Sequence, residues 1–271
     1  MAFWDKITSR GDVEDRRGFG PVSIGGGVGV TGIALLFLVN YLLGGDPMDV
    51  LNQLSTLQTE TPVVNSKEYE GVDPYEKFAS TVLGSNNDMW QIKFSENKKS
   101  YTPPKLVLFR QATNSSCGTA TSQVGPHYCP LDETIYLDET FFDELTNRFG
   151  AKGGDVAQAY VISHEVGHHA QNLFGTLDKA KSNEDSIKVE LQADCYAGLW
   201  GNSIKDKGVL EKNEFNEAID AAGAVGDDRI QEKVTGYINP ESWTHGSSAQ
   251  RKDWLSRGYE SGKLSSCNTF N

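Results

Sequence analysis

Two histidines and a glutamate stand close together in Ser163-His164-Glu165-Val166-Gly167-His168-His169. Apolar Ala159, Tyr160, Val161 and Ile162 lead into this stretch, and Ala170, Leu173 and Phe174 follow it. On a helix, His164 and His168 lie one turn apart on one face. Two imidazoles at that spacing can bind one zinc ion, and Glu165 beside them can take a proton from zinc-held water. Zinc lowers the pKa of that water from about 15.7 to about 7, which supplies a nucleophile at neutral pH. The chemistry this pattern points to is metal-assisted hydrolysis.

A hydrolytic zinc site takes three protein ligands and keeps a fourth position open. Glu190 is the expected third ligand. It follows His168 by 22 residues, enough for a loop and a returning helix. Asp194, one helical turn later, shares the face of Glu190 and is expected to accept a hydrogen bond from the free ring nitrogen of a zinc-bound histidine. The exchange of these roles, with Asp194 ligating, stays open. Ala193, Tyr196, Ala197, Leu199 and Trp200 make this second helix look buried, and a buried carboxylate needs a partner or a metal. His245, in Thr244-His245-Gly246-Ser247-Ser248, either donates a hydrogen bond to a tetrahedral oxyanion or is a structural residue of a capping loop. His169 is rotated about 100° from His168 and is not expected to ligate. His127 either lines the cleft or, as a lone loop histidine more often is, stands exposed.

The elements that must carry these residues follow from periodicity and punctuation. Asp73-Pro74 is an N-cap with proline at the first helical position, and Tyr75, Phe78, Ala79, Val82 and Leu83 recur at helical spacing. Trp90 to Phe94 reads as a strand or a helix end. Lys105 to Arg110 and Thr134 to Leu137 read as strands, with a small polar loop over Cys117 to Gly125. Helices are expected over Glu139 to Phe149, Asp155 to Phe174, Glu184 to Ile204 and Glu214 to Lys233. Ser247 caps a last one that includes Arg251 and Trp254.

The 271 residues, 38% hydrophobic and 23% charged, suit an ordinary globular domain with an appendage. A net charge of −12 argues against nucleic-acid binding. Residues 1–20 are polar. Pro21 to Leu43 then carries no charge and is long enough for one transmembrane helix. Lys6, Arg10, Arg16 and Arg17 precede it and no Lys or Arg follows until Lys67, which predicts a cytoplasmic N-terminus and a domain outside. Residues 44–71 read as a linker, and the domain is expected over 72–271. An extracytoplasmic compartment permits disulfides. Cys117 with Cys129 and Cys195 with Cys267 are the expected pairs.

His164-Glu165-Val166-Gly167-His168-His169, Glu190 to Gly198 (ELQADCYAG), Gly125 to Pro130 (GPHYCP) and Val13 to Gly18 (VEDRRG) ahead of one apolar span together resemble the bacterial neutral zinc metallopeptidase family. The resemblance covers nearly the whole chain. It implies a helix-rich α+β, zincin-like peptidase domain with Zn2+ as cofactor. It also implies an edge strand beside the active helix that pairs with an extended peptide. By position Tyr128 to Asp138 is that strand, with Tyr128 and Tyr136 as substrate-binding candidates.

The expected protein is thus a zinc peptidase on the bacterial cytoplasmic membrane, single-pass, with its catalytic domain extracytoplasmic. Glu165 is the general base and a protein or peptide the substrate. The alternative is a non-catalytic, membrane-tethered zinc-containing module that binds a partner peptide.

Overall fold

The computed structural model describes residues 1–18, 73–211 and 213–270. The proposed transmembrane helix over 21–43 and the linker over 44–71 lie outside the described residues. Among the described residues no helix is long and apolar enough to cross a membrane.

The fold is a helix-rich α+β domain. Its sheet has the order β1-β2-β6-β5. Strands β1 (Val13–Asp15), β2 (Lys105–Leu108) and β6 (Thr134–Leu137) run parallel, and β5 (His127–Cys129) runs antiparallel at the end of the sheet. A second hairpin, β3 (Ala112–Ser115) with β4 (Gly118–Thr121), occupies ground that the sequence assigns to an irregular loop. Leu106, Leu108, Ile135 and Leu137 join the main core, while Val107 and Tyr136 face the other way into a small cluster with Phe109, Ala120 and Cys129. Both faces of β6 are therefore buried.

Helix α1 (Pro74–Glu96) runs unbroken through Trp90 to Phe94, so that stretch is no strand. Asp73 caps it by accepting the Glu76 amide. After α2 (Phe141–Asn147), helices α3 (Asp155–Phe174) and α4 (Asn183–Ile204) form the centre of the domain. Gly175, with φ 73°, ends α3 in the left-handed conformation. Ser182 caps α4. The helix expected over Glu214 to Lys233 is two helices, α5 (Asn216–Ala224) and α6 (Asp227–Thr235), divided at Val225-Gly226. A Cβ on Gly226 would stand 2.3 Å from the Ser248 nitrogen, so this chain reversal is pressed against the start of α7 (Ser248–Ser261). Ser247 caps α7 in a reciprocal box with Gln250.

Two glycines set the helix spacing. A Cβ on Gly167 of α3 would lie 3.1 Å from the Ala193 carbonyl oxygen of α4. One on Gly198 of α4 would lie 2.1 Å from the Leu255 carbonyl oxygen of α7. Without side chains there, the backbones of α3, α4 and α7 approach closely enough for short side chains to meet between them. The disulfides are Cys117–Cys129, which ties the hairpin region to β5, and Cys195–Cys267, which ties the turn after α7 to α4.

One expectation is corrected. Residues 1–17 are not a segment apart from the domain. Val13, Glu14 and Asp15 pair with Leu106, Val107 and Leu108. Trp4 stacks on Trp200 at 6.3 Å between ring centroids and donates its indole N–H to Asp155, 2.8 Å away. Arg17 binds Asp15, Glu139 and Asp73. Arg17 and Asp73, on either side of the undescribed stretch, are thus in direct contact.

Candidate metal centre

Helix α3 presents His164 and His168 on one face, with ring centroids 4.7 Å apart. Helix α4 returns across them and brings Glu190 to both. Glu190 Oε2 lies 3.1 Å from His164 Nε2, and Oε1 lies 3.4 Å from His168 Nε2. Atoms of His164, His168 and Glu190 thus gather within 4.8 Å of one another. Two imidazole nitrogens and a carboxylate oxygen form the donor set that zinc prefers.

The other ring nitrogens are already occupied. His164 Nδ1 donates to Asp194 Oδ1 at 2.9 Å, and His168 Nδ1 donates to Gln171 Oε1 at 2.9 Å. Both Nε2 atoms are thereby left for a metal, which is the usual supporting arrangement around a ligating histidine. The residues present therefore fit zinc. Asp194 is fully buried. Its Oδ1 also takes the Tyr160 hydroxyl at 2.6 Å, and the Arg251 guanidinium binds both its oxygens, with Nε 2.8 Å from Oδ2. Neither oxygen of Asp194 faces the His Nε2 pair, so Glu190 is the carboxylate placed where it could ligate and Asp194 the one placed to support His164.

The electrostatics agree with this division. Burial would lower the pKa of His164, but Asp194 and Glu190 beside it push it up to about 10 in the metal-free site. Burial also opposes the charge on Glu190, yet His168 and His164 hold its carboxyl well below the usual carboxylate range. For Asp194 burial is outweighed by Arg251 and His164, which hold it at about 2. The cluster is thus a set of buried charges that compensate one another.

A cleft of about 620 Å³ opens over the three residues. Glu165 reaches it from α3, and Gly125 to Tyr128, ahead of and within the end strand β5, form one wall. His245 lines it from the loop before α7 and is half-exposed. Asp227 shapes that loop. Its Oδ2 accepts the backbone N–H groups of Thr244, His245 and Gly246, and its Oδ1 lies 3.1 Å from His245 Nδ1.

One substrate candidate stands elsewhere than the sequence suggests. Tyr136 lies on β6 with its side chain on the face away from α3, stacked on His127 and bonded through its hydroxyl to Asp132. It does not reach the cleft, and its role as a substrate contact is withdrawn. The cause is register: Tyr128 pairs with Ile135 and His127 with Tyr136, so the two tyrosines point to opposite faces. Tyr128 borders the cleft, but its hydroxyl is held by His169 Nδ1 and Asn172, each at 3.0 Å. His169 is wholly buried, with Nε2 donating to the Thr102 carbonyl oxygen at 2.6 Å, and ligates nothing. His127 is only part-buried on β5.

Gln171, Tyr160, Arg251 and Asp227 hold the site yet were not singled out as site residues from sequence. Gln171 carried one available signal, since it stands three positions after His168 on a buried helix face.

The model of one protein family, described as "Putative neutral zinc metallopeptidase", matches residues 2–270. The chain belongs to this family. Its cofactor is accordingly Zn2+. The protein named YpfJ of Escherichia coli K12, described as uncharacterized, is 41% identical over 287 residues, covering 98% of each chain. Mb2605 of Mycobacterium bovis and Rv2575 of Mycobacterium tuberculosis, also described as uncharacterized, are each 40% identical over 247 residues, covering 84% of each chain. No solved structure matches the chain.

Proposed function

We propose that this chain is a zinc-dependent peptidase that hydrolyses peptide bonds within proteins. The observation that carries the reading is Glu165. A glutamate in the cleft beside two facing histidines and the carboxylate of Glu190 from the returning helix has no ion-pair partner among the described residues, whereas Glu190 and Asp194 are fully engaged. A purely structural metal site has no use for such a base.

His164, His168 and Glu190 would hold the zinc, which would supply a Lewis acid for the scissile carbonyl and an activated water. Glu165 takes the proton of the attacking water and passes it to the leaving amine. His245, oriented by Asp227, donates to the oxyanion as the carbonyl becomes tetrahedral. The free edge of β5 pairs with the substrate backbone, which selects extended chain rather than a particular sequence. The purified full chain is expected to hydrolyse an unfolded protein such as casein, to lose this on chelation and to regain it with added zinc. Zinc-loaded protein that leaves casein intact would favour a binding role.

The two disulfides support an oxidising, extracytoplasmic location for the domain. Membrane attachment through 21–43 remains part of the proposal, but a single crossing with the N-terminus on the far side does not suit β1, which belongs to the domain's own sheet. Residues 1–17 and the domain therefore share one side of the membrane. Accessibility tags at the two chain ends are expected to report the same compartment. Tags on opposite sides would mean that β1 leaves its sheet in the cell.

A further inference from the structure

His168 is the less obviously supported of the two histidines, because no carboxylate touches its Nδ1. What touches it is Gln171 Oε1, and the amide of Gln171 is itself constrained. Its nitrogen lies 2.7 Å from the Val189 carbonyl oxygen and 3.1 Å from Gln192 Oε1. Gln192 in turn places its nitrogen 2.9 Å from the Cys267 carbonyl oxygen. Gln171 is wholly buried and Gln192 nearly so.

The direction of this chain of hydrogen bonds follows from one fact. A backbone carbonyl accepts and never donates. The Cys267 carbonyl therefore requires the NH2 of Gln192, which turns Gln192 Oε1 toward Gln171. Gln171 then meets two acceptors, Gln192 Oε1 and the Val189 carbonyl, and must spend both its N–H groups on them. Its own Oε1 is left facing His168, where it can only accept. His168 must carry a proton on Nδ1, which leaves Nε2, on the side of Glu190, as the ring nitrogen that can take a metal. Reversing either amide would set oxygen against oxygen in a buried site, a loss of about 1–3 kcal/mol for each unsatisfied group.

The far end of the chain is fixed covalently. Cys267 is bonded to Cys195, one residue after Asp194 in α4. The Thr269 hydroxyl adds a second stitch to α4 at the Lys188 carbonyl, 2.7 Å away. The turn Leu264–Cys267 follows α7, whose Arg251 binds Asp194 behind His164. Both histidines are thus backed by the same C-terminal element, one through Arg251 and Asp194, the other through Cys267, Gln192 and Gln171.

We propose that Gln171 and Gln192 are positioning residues that fix His168 as the tautomer ligating through Nε2, with the Cys267 carbonyl, held by the Cys195–Cys267 disulfide, as the anchor that sets their direction. The proposal rests on the zinc reading above. It assigns the disulfide a part in metal retention as well as in stability.

The test is zinc affinity of the full chain, measured by competition with a chromophoric chelator, for wild type, Gln192→Met, the double variant Cys195→Ala/Cys267→Ala and Leu83→Ala. Gln192→Met keeps volume and removes both hydrogen bonds of that side chain. Leu83, on α1, is fully buried against Gly11, away from these bonds, and reports the effect of lost stability alone. Gln192→Met and the disulfide-free variant are expected to bind zinc about 10- to 100-fold more weakly. Leu83→Ala is expected to melt at lower temperature with wild-type zinc affinity. Gln192→Met within twofold of wild type, or Leu83→Ala losing as much affinity, would overturn the proposal while leaving the zinc reading intact. Wild type that binds no zinc would sink both. Imidazole 15N shifts of zinc-loaded wild type give a second readout that needs no variant. A proton on His168 Nδ1 is expected, and one on Nε2 would refute the assigned direction.

Discussion

Glu165→Gln is expected to keep zinc and lose peptide hydrolysis by about 10²- to 10⁴-fold, the usual worth of a positioned general base. Glutamine has nearly the shape of glutamate, so the cleft and helix α3 should be undisturbed. What it lacks is a basic oxygen to receive the proton of the attacking water. Because Glu165 belongs to none of the ion pairs that join His164, His168 and Glu190, its loss should leave metal content at the wild-type level. The effect belongs in kcat more than in KM, since the lost interaction exists chiefly in the transition state. Undiminished casein turnover by this variant would remove Glu165 from the mechanism.

Asp194→Ala is expected to be the most damaging single change to stability. Asp194 has no exposed side-chain surface and Arg251 almost none, and the two are joined through both carboxylate oxygens. Removing one member leaves a guanidinium buried without its counter-ion, a loss of about 3–5 kcal/mol. The Tyr160 hydroxyl and His164 Nδ1 lose an acceptor at the same stroke. Urea unfolding measures the loss. The same carboxylate makes a pH signature. Its folded-state pKa of about 2 lies below the ordinary value of about 3.9, so its contribution is complete above that value and is lost as pH falls through about 2. The variant should lack this acid step. A stability within 1 kcal/mol of wild type, by the same scale of buried pairs, would show that Arg251 finds another partner.

The face that gathers the candidate metal ligands was legible because it depends on local periodicity. His164 and His168 at one-turn spacing, and Glu190 and Asp194 at the same spacing on the returning helix, need only helical geometry to face each other. The closeness of the two helices was less visible, since it depends on Gly167 meeting the Ala193 backbone, and a helical glycine alone gives no direction. The placement of Tyr136 turned on the register of β5 against β6, which no local pattern specifies across so short a pair of strands. The N-terminal segment misled for a related reason. A three-residue edge strand, Val13–Asp15, offers one apolar side chain and two charges, and reads as polar chain until its partner is known. Gln171 and Gln192 escaped notice because a neutral amide gains its meaning only from the acceptors around it.

The central claim is that His164, His168 and Glu190 hold a single zinc ion. Metal content of the purified full chain after dialysis against a known free zinc concentration tests it most directly, with Glu190→Ala run beside wild type. One zinc per chain in wild type and a loss of most of it in Glu190→Ala are predicted. Wild type without zinc, or Glu190→Ala that retains the full complement, would contradict the account.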